Sequence, residues 1–284
     1  MANSSKFAYF GTPYVARDTL AFLCEQGFVP AVVITGPDAP RGRGLVLTPP
    51  ETKTWALERG IPVLTPPKID PAAIEAIENY GCEYGIVVAY GKILPQALID
   101  IFPKGLINVH YSLLPKYRGA SPVESALLAG EAVTGVALQK LALELDAGDI
   151  LAMEEVAVAS DETTKELRPR LIKAGARLLA GTLPRYLAGE LIGTPQDHTL
   201  ATRARKIPKT EGELDLGAPM ETNWRKYRAF AESPGTYFFT KKDGMRMRIK
   251  ITKASFKDGA FAVERVIPEG KREMAYGDFL KGLG

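Results

Sequence analysis

Short apolar runs alternate with helically spaced ones through the first two thirds of the chain. Residues 7–10 form an unbroken apolar run that Gly11-Thr12-Pro13 ends, which predicts a buried strand and a turn. From about Tyr14 to Gln26 the apolar positions recur with helical spacing, and Gly27 supplies a stop. The same pattern predicts strands at 31–35, 61–64, 84–89, 105–110, 135–141 and 150–156, and helices at 53–59, 71–80 and 163–187. The stretch 36–50 is rich in glycine and proline and reads as a loop. Apolar strands separated by helices predict an α/β fold with a mostly parallel sheet covered on both faces.

Beyond residue 188 the pattern changes. Residues 189–209, with Pro195 and Pro208, read as a linker between a domain at 1–188 and a smaller one at 210–284. The smaller domain is expected to hold a helix at 224–230 and strands at 237–240, 245–252 and 261–266. Turns at Gly244 and Gly259 make it a small barrel or meander.

Composition removes several function classes. No apolar run reaches 18 residues, so no membrane partner is expected, and the first residues lack a signal-peptide layout. Cys24 and Cys82 are too far apart for a disulfide scaffold or zinc knuckle and read as structural thiols, so the cytoplasm is the expected location. Charge matters once it is divided. Residues 1–199 carry 18 basic and 22 acidic side chains, net −4, whereas 200–284 carry 18 and 11, net +7. A basic end on a mildly acidic body suggests a polyanionic partner as readily as a solvated surface.

Only two histidines are present, and His110 follows Asn108 by two positions near the end of a predicted strand. Strand residues two apart share a face, so an amide and an imidazole converge there. Asp146 follows in a loop 36 residues after His110. The turn after residue 10 has a single glycine and lacks the G-x-G-x-x-G pattern, and no P-loop occurs, so NAD and ATP are not expected. His110 and His198 show no metal-ligand spacing, and no metal is expected. A triad through Ser112 stays open on the letters, although Ser112 lacks a glycine-flanked turn. Singly, each residue is more at home in a structural role. Together, an amide donor, an imidazole and a carboxylate suit acyl transfer to an amine, where an oxyanion must be stabilised and an ammonium deprotonated.

Asn-Val-His-Tyr-Ser-Leu-Leu-Pro-Lys-Tyr-Arg-Gly at 108–119, followed by Leu-Asp-Ala-Gly-Asp at 145–149, closely resembles the signature of the 10-formyltetrahydrofolate-dependent formyltransferases. Matches at 10–13, at Pro37-Asp38 with Arg41-Gly42-Arg43-Gly44, and at 88–95 extend the resemblance over most of residues 5–240. Arg228-Ala229-Phe230 and Ser233-Pro234-Gly235-Thr236 resemble the family members that act on tRNA. The resemblance implies a Rossmann-like catalytic domain joined to a small C-terminal barrel that helps bind tRNA. It implies transfer of the formyl group of 10-formyltetrahydrofolate to methionine on initiator methionyl-tRNA, with neither membrane nor DNA as partner. Asn108 and His110 would hold the formyl oxygen, and Asp146 would orient His110 and assist proton removal. Val88, Ala89, Tyr90, Leu94, Ser112, Leu113, Leu114 and Pro115 would line the folate pocket, and Arg41 and Arg43 would contact tRNA.

Three features depart from the family pattern. Leu45-Val46 stand where lysines usually follow the Arg-Gly-Arg-Gly segment. Glu144 stands where a glycine is usual, and could add a second carboxylate to the site. The C-terminal domain is short, and a truncated barrel is expected. The lost lysines and short C-terminal domain keep an amino-sugar nucleotide or other small amine in play as acceptor; hydrolysis of the formyl donor, with water in place of the amine, and a non-catalytic RNA-binding protein are further readings.

Overall fold

A computed structural model describes residues 5–42, 44–242 and 244–283, which form two compact units. The first comprises the chain up to Ala120 with 135–156 and 170–203; the second comprises 121–134, 157–169 and the chain from Ala204.

The central sheet has seven strands: β1 (Phe7–Gly11), β2 (Val32–Ile34), β3 (Val63–Leu64), β4 (Tyr84–Val88), β5 (Leu106–His110), β6 (Val133–Lys140) and β7 (Ile150–Ala157). Their order is β7-β6-β5-β4-β1-β2-β3. The pairs β1–β2, β2–β3, β1–β4 and β4–β5 are parallel, whereas β6 runs antiparallel to β5. The order reverses between β1 and β4, and in sheets of this kind ligands bind outside the carboxyl ends of strands near such a reversal.

Helices cover both faces, as unbroken burial of β1, β4 and β5 requires. On one face Ala8, Phe10, Val32, Ile34, Val87 and Leu106 pack with Ile77 of α3 (Pro71–Glu78) and Leu98 of α4 (Gln96–Asp100). The other face meets α1 (Tyr14–Glu25), where the Tyr9 hydroxyl donates to the Ala16 carbonyl at 2.7 Å. It also meets α6 (Thr164–Leu187), which lies so close that a Cβ on Gly175 would come within 3.1 Å of Val136 and 3.2 Å of Val109. Helix α2 (Glu51–Leu57) leads into β3, and α5 (Pro122–Ala129) belongs to the second unit.

The turn after β1 serves packing. A Cβ on Gly11 would sit 2.4 Å from Ala16 Cβ and 2.9 Å from the Val88 carbonyl oxygen. Thr12 then ties three strand ends together: its Oγ1 accepts from the Gly36 N–H at 3.2 Å and donates to the Tyr90 carbonyl at 3.3 Å. Residues expected as one loop at 36–50 instead contain a short hairpin, Ala39–Arg41 against Val46–Thr48. The β-forming run Val46-Leu47-Thr48 outweighs its glycine-rich surroundings. Both thiols are free, and burial pushes each up to about 11.

In the second unit, β8 (Thr236–Lys242), β9 (Met245–Lys257), β10 (Ala260–Pro268) and β11 (Met274–Ala275) form an antiparallel meander in that order. Leu214, Phe238, Ile249, Ile251 and Val266 form its core together with Phe279 of α8 (Tyr276–Lys281). Strand β9 runs five residues past its expected end because a bulge between Ile251 and Ala254 breaks the alternation that marks a strand in sequence. Its other face is basic and aromatic: Lys250, Arg248 and Arg246 stand opposite Tyr237, Phe239 and Lys241. The Arg246 guanidinium lies 3.6 Å from the Phe239 ring centre, and that of Arg248 3.6 Å from Tyr237. Helix α7 (Met220–Ala229) starts four residues earlier than expected. The Trp224 ring stacks on Tyr227 and Phe256, and Arg228 is buried, donating to the Ser160 carbonyl. Arg228 therefore spends its charge inside the unit, where burial lowers its pKa.

Gly11→Ala is expected to lower unfolding stability by about 1–3 kcal/mol, because the methyl must displace backbone as well as a side chain. Denaturant titration of the two proteins measures it.

Candidate active site

Asn108 and His110 stand on β5, on the face that carries Leu106, and both are buried at 9% and 5% exposure. Register places Asn108 opposite Gln139 of β6, and antiparallel partners share a face. Asp146 lies in the loop that leaves β6, in the left-handed backbone region at φ 52°. Two residues later a Cβ on Gly148 would fall 1.8 Å from the Lys140 carbonyl oxygen, so only glycine lets the loop fold back so tightly.

This return brings the three residues together. Asn108 Nδ2 donates to Asp146 Oδ1 at 3.3 Å, and Gln139 Nε2 donates to the same oxygen at 3.0 Å. The Gly119 N–H donates to Asp146 Oδ2 at 2.8 Å, and His110 Nδ1 faces that oxygen at 3.6 Å. On its other side His110 Nε2 meets the Tyr117 carbonyl at 2.9 Å. A carbonyl only accepts, so Nε2 carries a proton there. Ser112 Oγ donates to the Lys116 carbonyl at 2.6 Å, so hydroxyl and imidazole each have another partner.

Sequence reading passed over three polar residues in this region. Gln139 and Gln196 are 1% and 6% exposed, and Arg118 is 2% exposed. Gln139 had a signal, an amide at the end of the apolar strand Val136-Ala137-Leu138. Gln196 had none, because it lies among the residues that read as a linker. A bridge between Ile150 and Thr194 and the bond from the Arg118 N–H to the Thr202 carbonyl, at 2.9 Å, hold that segment beside the site. Glu144 lies with Oε1 3.6 Å from both Arg118 and Arg203, on a side chain 56% exposed. Its charge is directed at those guanidinium groups.

The residues expected around folate fall into two stretches. Val88 closes β4 and is fully buried; Ala89 is exposed with φ 46°; Tyr90 and Leu94 belong to the core on the α3 and α4 face. The Tyr90 hydroxyl is buried without a hydrogen-bond partner, and burial pushes its pKa up to about 12. Ser112 and Leu114 are buried, whereas Leu113 and Pro115 are half-buried. Of the arginines expected to contact tRNA, Arg41 pairs with Glu51 at 2.5 Å, and Arg43 lies outside the described residues. Among the described residues, no group of three or more His, Cys, Asp or Glu is placed to hold a metal ion. None of the helices there is long and apolar enough to cross a membrane.

A doubly covered sheet with a polar cluster at the carboxyl end of β5 defines a protein of the α/β class with its polar site where that class binds ligands. The chain belongs to the formyl transferase family, whose model matches residues 6–183. It is an enzyme that transfers formyl groups, and the family's donor is 10-formyltetrahydrofolate. Over nearly its whole length it is similar to the methionyl-tRNA formyltransferase of Myxococcus xanthus, at 38% identity across 98% of this chain and 95% of the relative. The methionyl-tRNA formyltransferase from Clostridium thermocellum shares the fold, with a TM-score of 0.61 at 16% identity over 94% of this chain and 99% of that one. So does HypX from Aquifex aeolicus in complex with tetrahydrofolic acid, with a TM-score of 0.66 at 15% identity over 99% of this chain and 48% of that one.

Gly148→Ala is expected to displace Asp146 and lower kcat for formyl transfer about 100-fold, the scale of a 1 Å misplacement. Steady-state kinetics with saturating formyl donor measures it.

Proposed function

We propose that this enzyme transfers the formyl group of 10-formyltetrahydrofolate to the amino group of methionine on initiator methionyl-tRNA, in the cytoplasm. The observation that carries the proposal is the buried meeting of Asn108, His110 and Asp146 at the end of β5, in a chain whose full-length relatives are methionyl-tRNA formyltransferases. The amine attacks the formyl carbon, a C–N bond forms, and the carbonyl oxygen becomes the oxyanion of a tetrahedral intermediate. Asn108 has a second N–H beyond the one given to Asp146, and offers it to that oxygen. His110 joins it by exchanging the Tyr117 carbonyl for the oxyanion at Nε2. The Asp146 carboxylate takes the ammonium proton, the bond from the formyl carbon to the folate nitrogen breaks, and that nitrogen receives a proton.

The residues at the ends of β4 and β5 fit the donor. Leu113 and Pro115 offer half-buried apolar surface, and donor binding would have to uncover the buried Val88, Tyr90, Leu94 and Leu114. Ala89 and Ser112 lie between them, and the unpartnered Tyr90 hydroxyl can bond a polar ring edge. In the second unit, the arginines and lysines of β8 and β9 suit tRNA phosphates, and the domain from residue 210 is assigned that role. Arg41, paired with Glu51 at the surface, and Arg43 are assigned as further tRNA contacts.

Incubation with formyl donor and methionyl-tRNA is expected to yield formylmethionine. Formylation of an amino-sugar nucleotide in its place would overturn the assignment. Asn108→Ala is expected to lower kcat about 10²- to 10³-fold, the cost of one oxyanion donor. Replacing Arg246 and Arg248 by alanine is expected to raise KM for tRNA while kcat holds. It should also reduce the slope of log affinity against log salt by about one for each phosphate that is no longer neutralised.

A further inference from the structure

Behind Asp146 the donors and acceptors run in a fixed order. Arg118 can only donate, and its Nε and Nη2 reach Gln196 Oε1 at 3.1 and 2.7 Å. That turns the Gln196 amide nitrogen the other way, where its two N–H bonds are shared among the Gly148 carbonyl at 2.7 Å, the Asp146 carbonyl at 3.0 Å and Gln139 Oε1 at 3.2 Å. Gln139, with its oxygen engaged, presents Nε2 to Asp146 Oδ1 at 3.0 Å. Turning over either carboxamide would set an amide nitrogen against a guanidinium, or an amide oxygen against a carboxylate. A donor-only cation at one end and an acceptor carboxylate at the other therefore dictate both orientations.

The same amide acts on the loop backbone. Asp146 holds a left-handed conformation, which persists only where the surroundings enforce it. Gln196 bonds the main chain of Asp146 and of Gly148, on both sides of the turn. It is itself held by Arg118 and by the bridge at Thr194.

We propose that Gln196 is the positioning residue of the site: anchored by Arg118, it clamps the Asp146 loop and aims the Gln139 N–H at the Asp146 carboxylate. The proposal rests on the catalytic reading of Asp146 and adds to it a residue 50 positions away that acts through Asp146.

The test compares Gln196→Met, Gln139→Met, the double variant and Asp146→Asn in formyl transfer to methionyl-tRNA. Each methionine keeps the volume and removes the polar link. For each single variant kcat is expected to fall about 10- to 100-fold, with KM for both substrates held within about two-fold. The double variant should be no slower than the slower single, because both break one chain. Gln139→Glu, which turns an acceptor on Asp146, should be slower than Gln139→Met. If Gln196→Met does not fold, Gln139→Met and Gln139→Glu decide the matter, since they break only the last link. Unchanged kcat, a loss confined to KM, or additive losses would overturn the positioning role. Full activity of Asp146→Asn would overturn the catalytic reading itself. An inactive Asp146→Asn beside fully active methionine variants would overturn only the positioning.

Discussion

The site depends on satisfying one nearly buried carboxylate. Asp146 keeps 10% of its side chain exposed, and a carboxylate removed from water is tolerated only when donors replace the water. Here they come from three places in the chain, Asn108 on β5, Gln139 on β6 and the Gly119 N–H, while His110 Nδ1 faces the second oxygen at 3.6 Å. Each demand shapes the backbone. The loop after β6 must turn left-handed at Asp146 and close against the Lys140 carbonyl, which Gly148 alone permits. The chain from 194 to 202 must return beside β7 and the Arg118 segment to deliver Gln196.

The direction of β6 follows the same logic. An antiparallel partner to β5 sets Asn108 and Gln139 directly opposite one another, on one face and within reach of a common acceptor. The parallel remainder of the sheet supplies a different service. Its strands end together, so the turn after β1, the end of β4 and His110 at the end of β5 stand along one edge, with Thr12 stitching the ends of β1, β2 and β4. In the second unit, strand alternation separates two materials. Phe238, Ile249 and Ile251 go to a core, while Arg246, Arg248 and Lys250 go to the opposite face with Tyr237 and Phe239.

Most long elements were legible because their apolar period is strong: β1, β4, β5, α1 and α6 lie within a residue or two of where the pattern puts them. The misses have common causes. Helices α4, α5 and α8 span five to eight residues, a length at which the helical period is a marginal signal: α2 and α3, with seven and eight residues, were still read. The hairpin within 36–50 hid behind its glycines, and the bulge in β9 inverted the alternation that marks a strand. Two-residue spacing foretold that Asn108 and His110 share a face. Nothing in the letters foretold that Arg118 is buried or that Gln196, in an apparent linker, touches the Asp146 loop.

By itself the sequence determined the layered α/β plan, the family, and the side chains able to bear the chemistry. These are recorded in local periodicity and in motifs that stay contiguous. The tertiary structure alone decided which groups surround Asp146, which guanidinium groups are spent internally, as Arg118 and Arg228 are, and which face of the C-terminal sheet is left basic. Most of those outcomes depend on residues far apart in the chain, up to 78 positions for Arg118 and Gln196, meeting at hydrogen-bond distance. Such meetings are set by strand direction and loop return, and neither leaves a periodic trace along the chain.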